Sequence, residues 1–411
     1  MSVGRFLQQG AAGNAGGATY VDDVFSTYLY AGNSTERDIQ NGLDLSGEGG
    51  LVWIKDRASG AHTLSDTENG ANKYLSSSST AALTNSIYNE ALKAFNSDGF
   101  KLPGYVSGDP NKINGTGYEY VSWTFRKQPG FFDVVTYTGN GTPGRTVSHN
   151  LGSVPGMIII KCRDSSGSDP QWFVYHRSTG SGKKLLLNSD AAMANTSVFN
   201  NTDPTSTEFT VGNSGTNTNN ATYVAYLFAH DAQEFGTNSD ESIIKCGTFT
   251  GNPVTVDLGW EPQWILLKKT DGSNDWFIYD TMRGWQTDGT GSYLQANNTI
   301  AEVFTSLEIT KINSTGVEFV SYGGTWIYVA IRRPHKPASE FAATDLFAID
   351  TRNSTGDGQE PGFRSGFPVD MNIFNPNVTS SNAHRISGRL TGNKYLESSS
   401  TNAELLSLIH I

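Results

Sequence analysis

Met157-Ile158-Ile159-Ile160-Lys161, followed after a polar turn by Trp172-Phe173-Val174-Tyr175, decides the fold. The pair returns as Trp264-Ile265-Leu266-Leu267-Lys268 and Trp276-Phe277-Ile278-Tyr279. A continuous run of β-prone apolar residues bounded by turn signals reads as a strand buried on both faces. The intervening turns, Asp164 to Asp169 and Asp271 to Asp275, carry the Gly and Asp types that a tight hairpin favours. Each copy is therefore expected to be a β-hairpin inside a core.

Working outward, the hairpins belong to a repeat of about 105 residues. KYLSSSSTAA from Lys73 returns as KYLESSSTNA from Lys394, 321 residues on. Asp66-Thr67 with Gly70 returns as Asp280-Thr281 with Gly284, and Tyr120-Val121 as Tyr223-Val224 and Trp326-Ile327. Such a period exceeds that of solenoid repeats, so each unit should bury its own core. The expected layout is a flexible arm over 1–19, units at 20–130, 131–237 and 238–338, and a truncated fourth unit at 339–405. Pro/Gly/polar joints at Lys127 to Gly130, Gly236 to Ser239 and Arg333 to Pro337 separate them. The fold class expected is all-β: tandem, jelly-roll-like β-sandwiches, three complete and one truncated, strung as beads. Asn85 to Phe95 also fits a short helix, with Ile87, Ala91, Leu92 and Phe95 on one face.

The composition agrees. Charged residues are 17% of 411, Gly numbers 45, and Phe, Tyr and Trp number 21, 17 and 8, a turn-rich chain with too many aromatics for disorder. A net charge of −11 offers no electrostatic footprint for nucleic acid, and no apolar run reaches the length of a membrane span. Cys162 and Cys246 are too few for a disulfide framework or a four-ligand zinc site and are expected as buried thiols. The start, MSVGRFLQQGAAG, lacks the apolar core of a signal peptide. The last six residues, LSLIHI from Leu406 to Ile411, match the in-frame product of a common transposon-end sequencing adapter. They are expected to be foreign, with the native chain continuing beyond Leu405.

The chain carries no phosphate-binding loop, no H-E-x-x-H and no nucleophile elbow. Asp66 with Glu68, and Asp280 with Asp288, are the best pairs for two-carboxylate glycoside chemistry, a weak signal in an acidic, turn-rich protein. His176 occupies the position that Asp66 and Asp280 fill in sister units and reads as structural, and His230 reads as a surface histidine. Asp350 to Gly358 resembles a calcium loop but has Arg352 where an oxygen ligand is needed, so it reads as a plain loop. No catalytic residue, metal or cofactor is expected.

The recurring aromatics Trp172, Trp276, Tyr223 and Trp326 read as core. Trp285 does not recur. It lies in a loop longer than its first-unit counterpart, with Arg283, Gln286 and Asp288 beside it. These four residues are the candidate ligand-binding set, with the indole stacking on a glycan and the others hydrogen bonding. The plainer reading is a loop packed at a domain or subunit contact.

Three long strings carry a resemblance: FFDVVTYTGNGTPGRTVSHNLGSVPGMIIIK from Phe131, TYVAYLFAHD from Thr222 and DWFIYDTMRG from Asp275. With the WTFRK-PGFF joint from Trp123, they resemble the repeat units of virion structural and tail-fibre proteins of marine bacteriophages. The resemblance implies a non-enzymatic structural protein of the phage tail, assembled in the host cytoplasm. Expected partners are other virion proteins, further copies of the chain and a host-surface glycan, with no nucleic acid and no membrane insertion. The alternatives are a polysaccharide depolymerase using Asp66 or Asp280, and a bacterial surface adhesin.

Overall fold

The computed structural model describes residues 18–86, 90–104, 113–164, 169–212, 215–285, 291–305, 309–320 and 322–336, and the strands at 371–374, 385–388, 394–397 and 405–406. Among these residues the chain is built of antiparallel strands, with two single-turn 3-10 helices, Val21–Asp23 and Thr281–Arg283, and no α-helix.

The apolar runs become the inner strands Gly50–Asp56, Met157–Cys162 and Pro262–Lys269, buried along almost their whole lengths. Each pairs on one side with its hairpin partner, Thr63–Asp66, Trp172–His176 or Trp276–Asp280. On the other side lies the last aromatic strand of the unit, Glu119–Arg126, Thr222–Phe228 or Thr325–Arg332. That strand in turn pairs with the first, Phe25–Ala31, Phe132–Thr138 or Ile244–Thr250. The hairpin side extends to six strands in the second and third units, whereas the first stops at four. A smaller sheet covers one face in each case, such as Arg37–Gln40, Gly99–Leu102 and Ala94–Asn96 in the first unit. The result is three two-layer antiparallel sandwiches, the all-β class expected. The described part of 85–95 holds ends of short strands rather than a helix.

The other face of each main sheet explains why these strands are apolar at every position. Side chains alternate across a strand. In the first unit Val52 and Ile54 point into the sandwich with Ile39, Phe100 and Leu102. Leu51 and Trp53 point the opposite way, with Val121, Trp123 and Phe125, into a core that also holds Met157 and Ile159 of the second unit and Trp264 and Leu266 of the third. Phe125 sits edge-on to Phe228 at 5.5 Å and to Trp264 at 5.7 Å, joining all three units. The first and third units keep sandwich cores of their own, as expected, but the expectation of independent beads is corrected: a sheet apolar on both faces must cover both, and the units cover each other's backs.

The packing is cyclic. Leu83 N–H donates to the carbonyl of Arg163 at 2.7 Å, Met193 to Thr270 at 3.0 Å, and Glu302 to Arg57 at 2.7 Å. The first unit thus reaches the second, the second the third, and the third returns to the first, closing a pseudo-threefold ring. Near the expected arm, Thr19 accepts from Gly236 N–H, Tyr20 hydroxyl meets Thr237 Oγ1 at 2.8 Å, and its ring packs on His335. These contacts tie the entry of the chain to two joints, while residues 1–17 lie outside the described set. In the fourth unit, Met371–Phe374, Arg385–Gly388, Lys394–Glu397 and Leu405–Leu406 form one antiparallel sheet. Leu406, read from sequence as foreign, stands opposite Lys394 there. The Asp350 to Gly358 loop lies outside the described residues.

Candidate functional site

Of the predicted ligand set, Arg283 and Trp285 lie buried rather than on the surface. The Asp280 carboxylate caps the turn Thr281–Arg283 by accepting from Arg283 N–H, and Gly284, at φ 87°, reverses the chain in a conformation that favours glycine. The reversal drives Trp285 inward. Its indole is 2% exposed, donates to the Thr310 carbonyl at 2.8 Å and packs beside Tyr279 in the core of the third sandwich. Arg283 is 1% exposed. Neither can stack on or hydrogen-bond a glycan from there, which corrects the reading of Arg283 and Trp285 as a binding pair. Gln286 and Asp288 lie outside the described residues.

What Arg283 joins instead is a charged seam between the third and first units. Its Nε donates to Asp280 Oδ2 at 2.7 Å, Nη2 to the Ile278 carbonyl at 2.9 Å, and Nη1 to Glu302 Oε2 at 3.4 Å. Arg57 of the first unit grips the Glu302 carboxylate with two bonds of 2.8 and 2.9 Å. Trp123, also of the first unit, donates its indole N–H to Asp280 Oδ2 at 2.9 Å and lies beneath the Arg283 guanidinium. Burial alone would push the Glu302 carboxyl up, but the charge and hydrogen bonds of Arg57, aided by Arg283, outweigh it and hold it below its ordinary value. The two guanidinium groups and two carboxylates balance in charge, which a buried cluster requires.

The same positions serve the other seams with different chemistry. Asp66, 1% exposed, accepts from the Tyr226 hydroxyl of the second unit at 2.8 Å and from Asn69. His176, in the equivalent place, meets the Tyr328 carbonyl of the third unit at 3.1 Å. The side chain facing each follows suit. Trp123 and Tyr226 bring a donor to a carboxylate, whereas the third unit offers Val329 at that position, so the histidine turns to a main-chain oxygen. His176 is structural, as read from sequence. The Asp66 and Asp280 carboxylates, buried and paired across seams, leave no room for the sugar and water that glycoside cleavage needs. Glu68 is ion-paired with Lys127 at 3.0 Å.

Sequence reasoning missed three lysines that end the apolar runs. Lys55, Lys161 and Lys268 are each 0% exposed. Their ammonium groups donate to the neighbouring unit's Ile300, Thr80 and Asp190 carbonyls at 3.1, 3.2 and 2.8 Å. Burial pulls each down to about 8. Their recurrence at one position of the repeat was the available signal. Trp172 and Trp276 add indole N–H bonds to the Ser79 and Leu186 carbonyls, and His62 takes the corresponding place in the first unit. Cys162 and Cys246 are buried and form no disulfide. Among the described residues no group of three or more His, Cys, Asp or Glu is placed to hold a metal ion.

No curated protein matches the chain. A family model, described as a domain of unknown function, matches residues 21–333, which are the three units of the ring taken together. The chain belongs to that family, DUF7483.

Proposed function

We propose that the chain is a non-enzymatic structural protein of a bacteriophage virion, a tail or tail-fibre component that also contributes to attachment at the host surface. One observation carries the structural part: the recurring acids, lysines and histidines face the seams, where they cement units rather than line a cleft. A rigid ring of sandwiches suits a load transmitted through an assembly. The resemblance of the Phe131, Thr222 and Asp275 strings to phage repeat units supplies the setting. Attachment in this proposal works by avidity, with many weak contacts on repeated units multiplied by assembly. It no longer involves Trp285.

The test is to raise antibodies against the purified chain and apply them to particles of a phage encoding it, viewed by electron microscopy. Labelling confined to the tail supports the proposal, and particles free of the protein overturn it. In parallel, the purified chain should slow phage adsorption to host cells without releasing reducing ends from their polysaccharide. Release that Asp280→Asn abolishes, with the ring still folded, would establish the depolymerase instead.

A further inference from the structure

Two of the three seams contain a fully buried histidine, and both flank the third unit. His62 of the first unit accepts the Trp53 indole N–H on Nδ1 at 2.8 Å and places Nε2 2.9 Å from the Gln295 carbonyl of the third. His176 of the second unit accepts Ser178 N–H on Nδ1 at 3.2 Å and places Nε2 3.1 Å from the Tyr328 carbonyl of the third. A ring nitrogen that accepts an N–H carries no proton, so both rings are neutral, with the proton on Nε2 and donated across the seam. A second proton has only Nδ1 to go to, where a donor already points at it. Both side chains are 0% exposed, so bulk water does not reach the rings to relieve the clash.

We propose that His62 and His176 make the third unit the acid-labile member of the ring: on acidification both rings charge, the third unit parts from its two neighbours, and the first and second stay joined.

The surroundings favour this. The charged groups facing His62 are Lys55 of its own sheet and Arg283 of the third unit, both cations. His176 faces Arg177 at the end of its strand and His230 at the joint, and from the third unit the Tyr328 carbonyl alone attracts it. Half-buried His230, which accepts from Cys246 N–H, adds an imidazole to the same seam. Burial, more than these charges, holds His62 down to about 3 and His176 and His230 down to about 4. Neutral rings of depressed pKa give stability that is full above the ordinary histidine range and is lost as the pH falls from about 6.5 toward about 4 for His176 and about 3 for His62. An open seam that frees a ring to its ordinary value gains roughly 30-fold per histidine between neutral pH and pH 5. The first–second seam responds oppositely. It has no such histidine, and burial raises the Asp66 carboxyl, so its folded form gains protons, and stability, as the pH falls.

The two cysteines report on the two kinds of seam. Cys246, in the first strand of the third unit, packs on Gly156 and donates its thiol to the Ala229 carbonyl of the second unit at 3.4 Å. Cys162 lies within the second unit, one residue from the carbonyl that bonds the first. The full chain is labelled with 4,4′-dithiodipyridine, which reacts with thiols in acid, at pH 7.5 and pH 5, with rates normalised to a short thiol peptide and sites read by mass spectrometry. Cys246 is expected to accelerate at least tenfold and Cys162 less than twofold. Equal acceleration of both, which is global acid unfolding, overturns the proposal, as does protection of Cys246 at pH 5. The His62→Gln/His176→Gln chain, whose amides can accept and donate as the neutral imidazoles do but cannot charge, should lose most of the response, with His230 alone left to titrate in the seam. Retention of the full response overturns the proposal. If that variant does not fold, imidazole proton shifts in the unaltered chain decide, because labelling that precedes histidine protonation also overturns it.

Discussion

Lys55, Lys161 and Lys268 depart far from the behaviour of their type. Each sits at the end of an apolar strand, fully buried, with its ammonium on carbonyl oxygens and burial pulling it down to about 8. The unfolded chain holds these protons up to the ordinary lysine range, so between about pH 8 and pH 10 it binds more protons than the fold does, and stability rises with pH. The displacement corresponds to about 3 kcal/mol per lysine over the full window. Above pH 10 the buried hydroxyls of Tyr30, Tyr137 and Tyr226, all raised by burial, reverse the slope, because the unfolded chain then loses protons first. Urea midpoints at pH 7.5, 9 and 10 are therefore expected to climb, the buried Cys246 thiol, raised by burial, opposing the three lysines from about pH 9, and Lys161→Met should remove at least a third of the net climb. A flat profile in the parent chain would mean that the carbonyl cradles hold the ammonium groups charged throughout.

At the scale of elements, the segment that crosses to the next unit shows how one backbone contact tolerates three chemistries. Its crossing residue is Leu83, Met193 or Glu302, and the residue whose carbonyl it meets is Arg163, Thr270 or Arg57. Only the last pair is ionic. Glu302→Met removes the bidentate partner of the Arg57 guanidinium in a buried seam and is expected to cost about 3–5 kcal/mol. Arg57→Thr added to it copies the Met193–Thr270 pairing of the sister seam and should restore at least half of that loss, which a double-mutant cycle in urea will read. The seam also shows what the sequence made legible. The hairpins, the repeat and the burial of both faces followed from runs such as Ile158-Ile159-Ile160 and from their return. What covers the second face did not, because a uniformly apolar strand says that both sides are buried and not by what. Glu302 was invisible because its repeat neighbours are Leu and Met. The burial of Trp285 within its own sandwich is not legible, because a long loop with polar neighbours fits a surface site or a domain contact as well. The decisive element was Gly284, whose left-handed turn sends the indole into the core.

The whole molecule behaves as one folding unit if the shared core is as continuous as its contacts. Phe125 makes the sharpest test. It is fully buried and touches Phe25, Phe131, Phe132, Phe228 and Trp264, rings drawn from all three units. Phe125→Ala should cost about 3–5 kcal/mol through lost burial and a cavity at the axis. Because the cavity belongs to no single sandwich, the loss should appear as a shift of one transition rather than the early melting of the first unit. At pH 7.5 residues 20–338 are accordingly expected to unfold in a single urea transition, with an m value set by all three units. Residues 131–237 alone would expose the back face of their sheet, Met157, Ile159, Val224 and Phe228, and should fail to give a cooperative transition. A cooperative isolated unit, or separate steps in the intact ring, would return the molecule to beads on a chain. In that case the seam contacts would be docking between finished domains. A single step would instead make them part of the folding of each unit, and would explain physically why the family model spans the three as one.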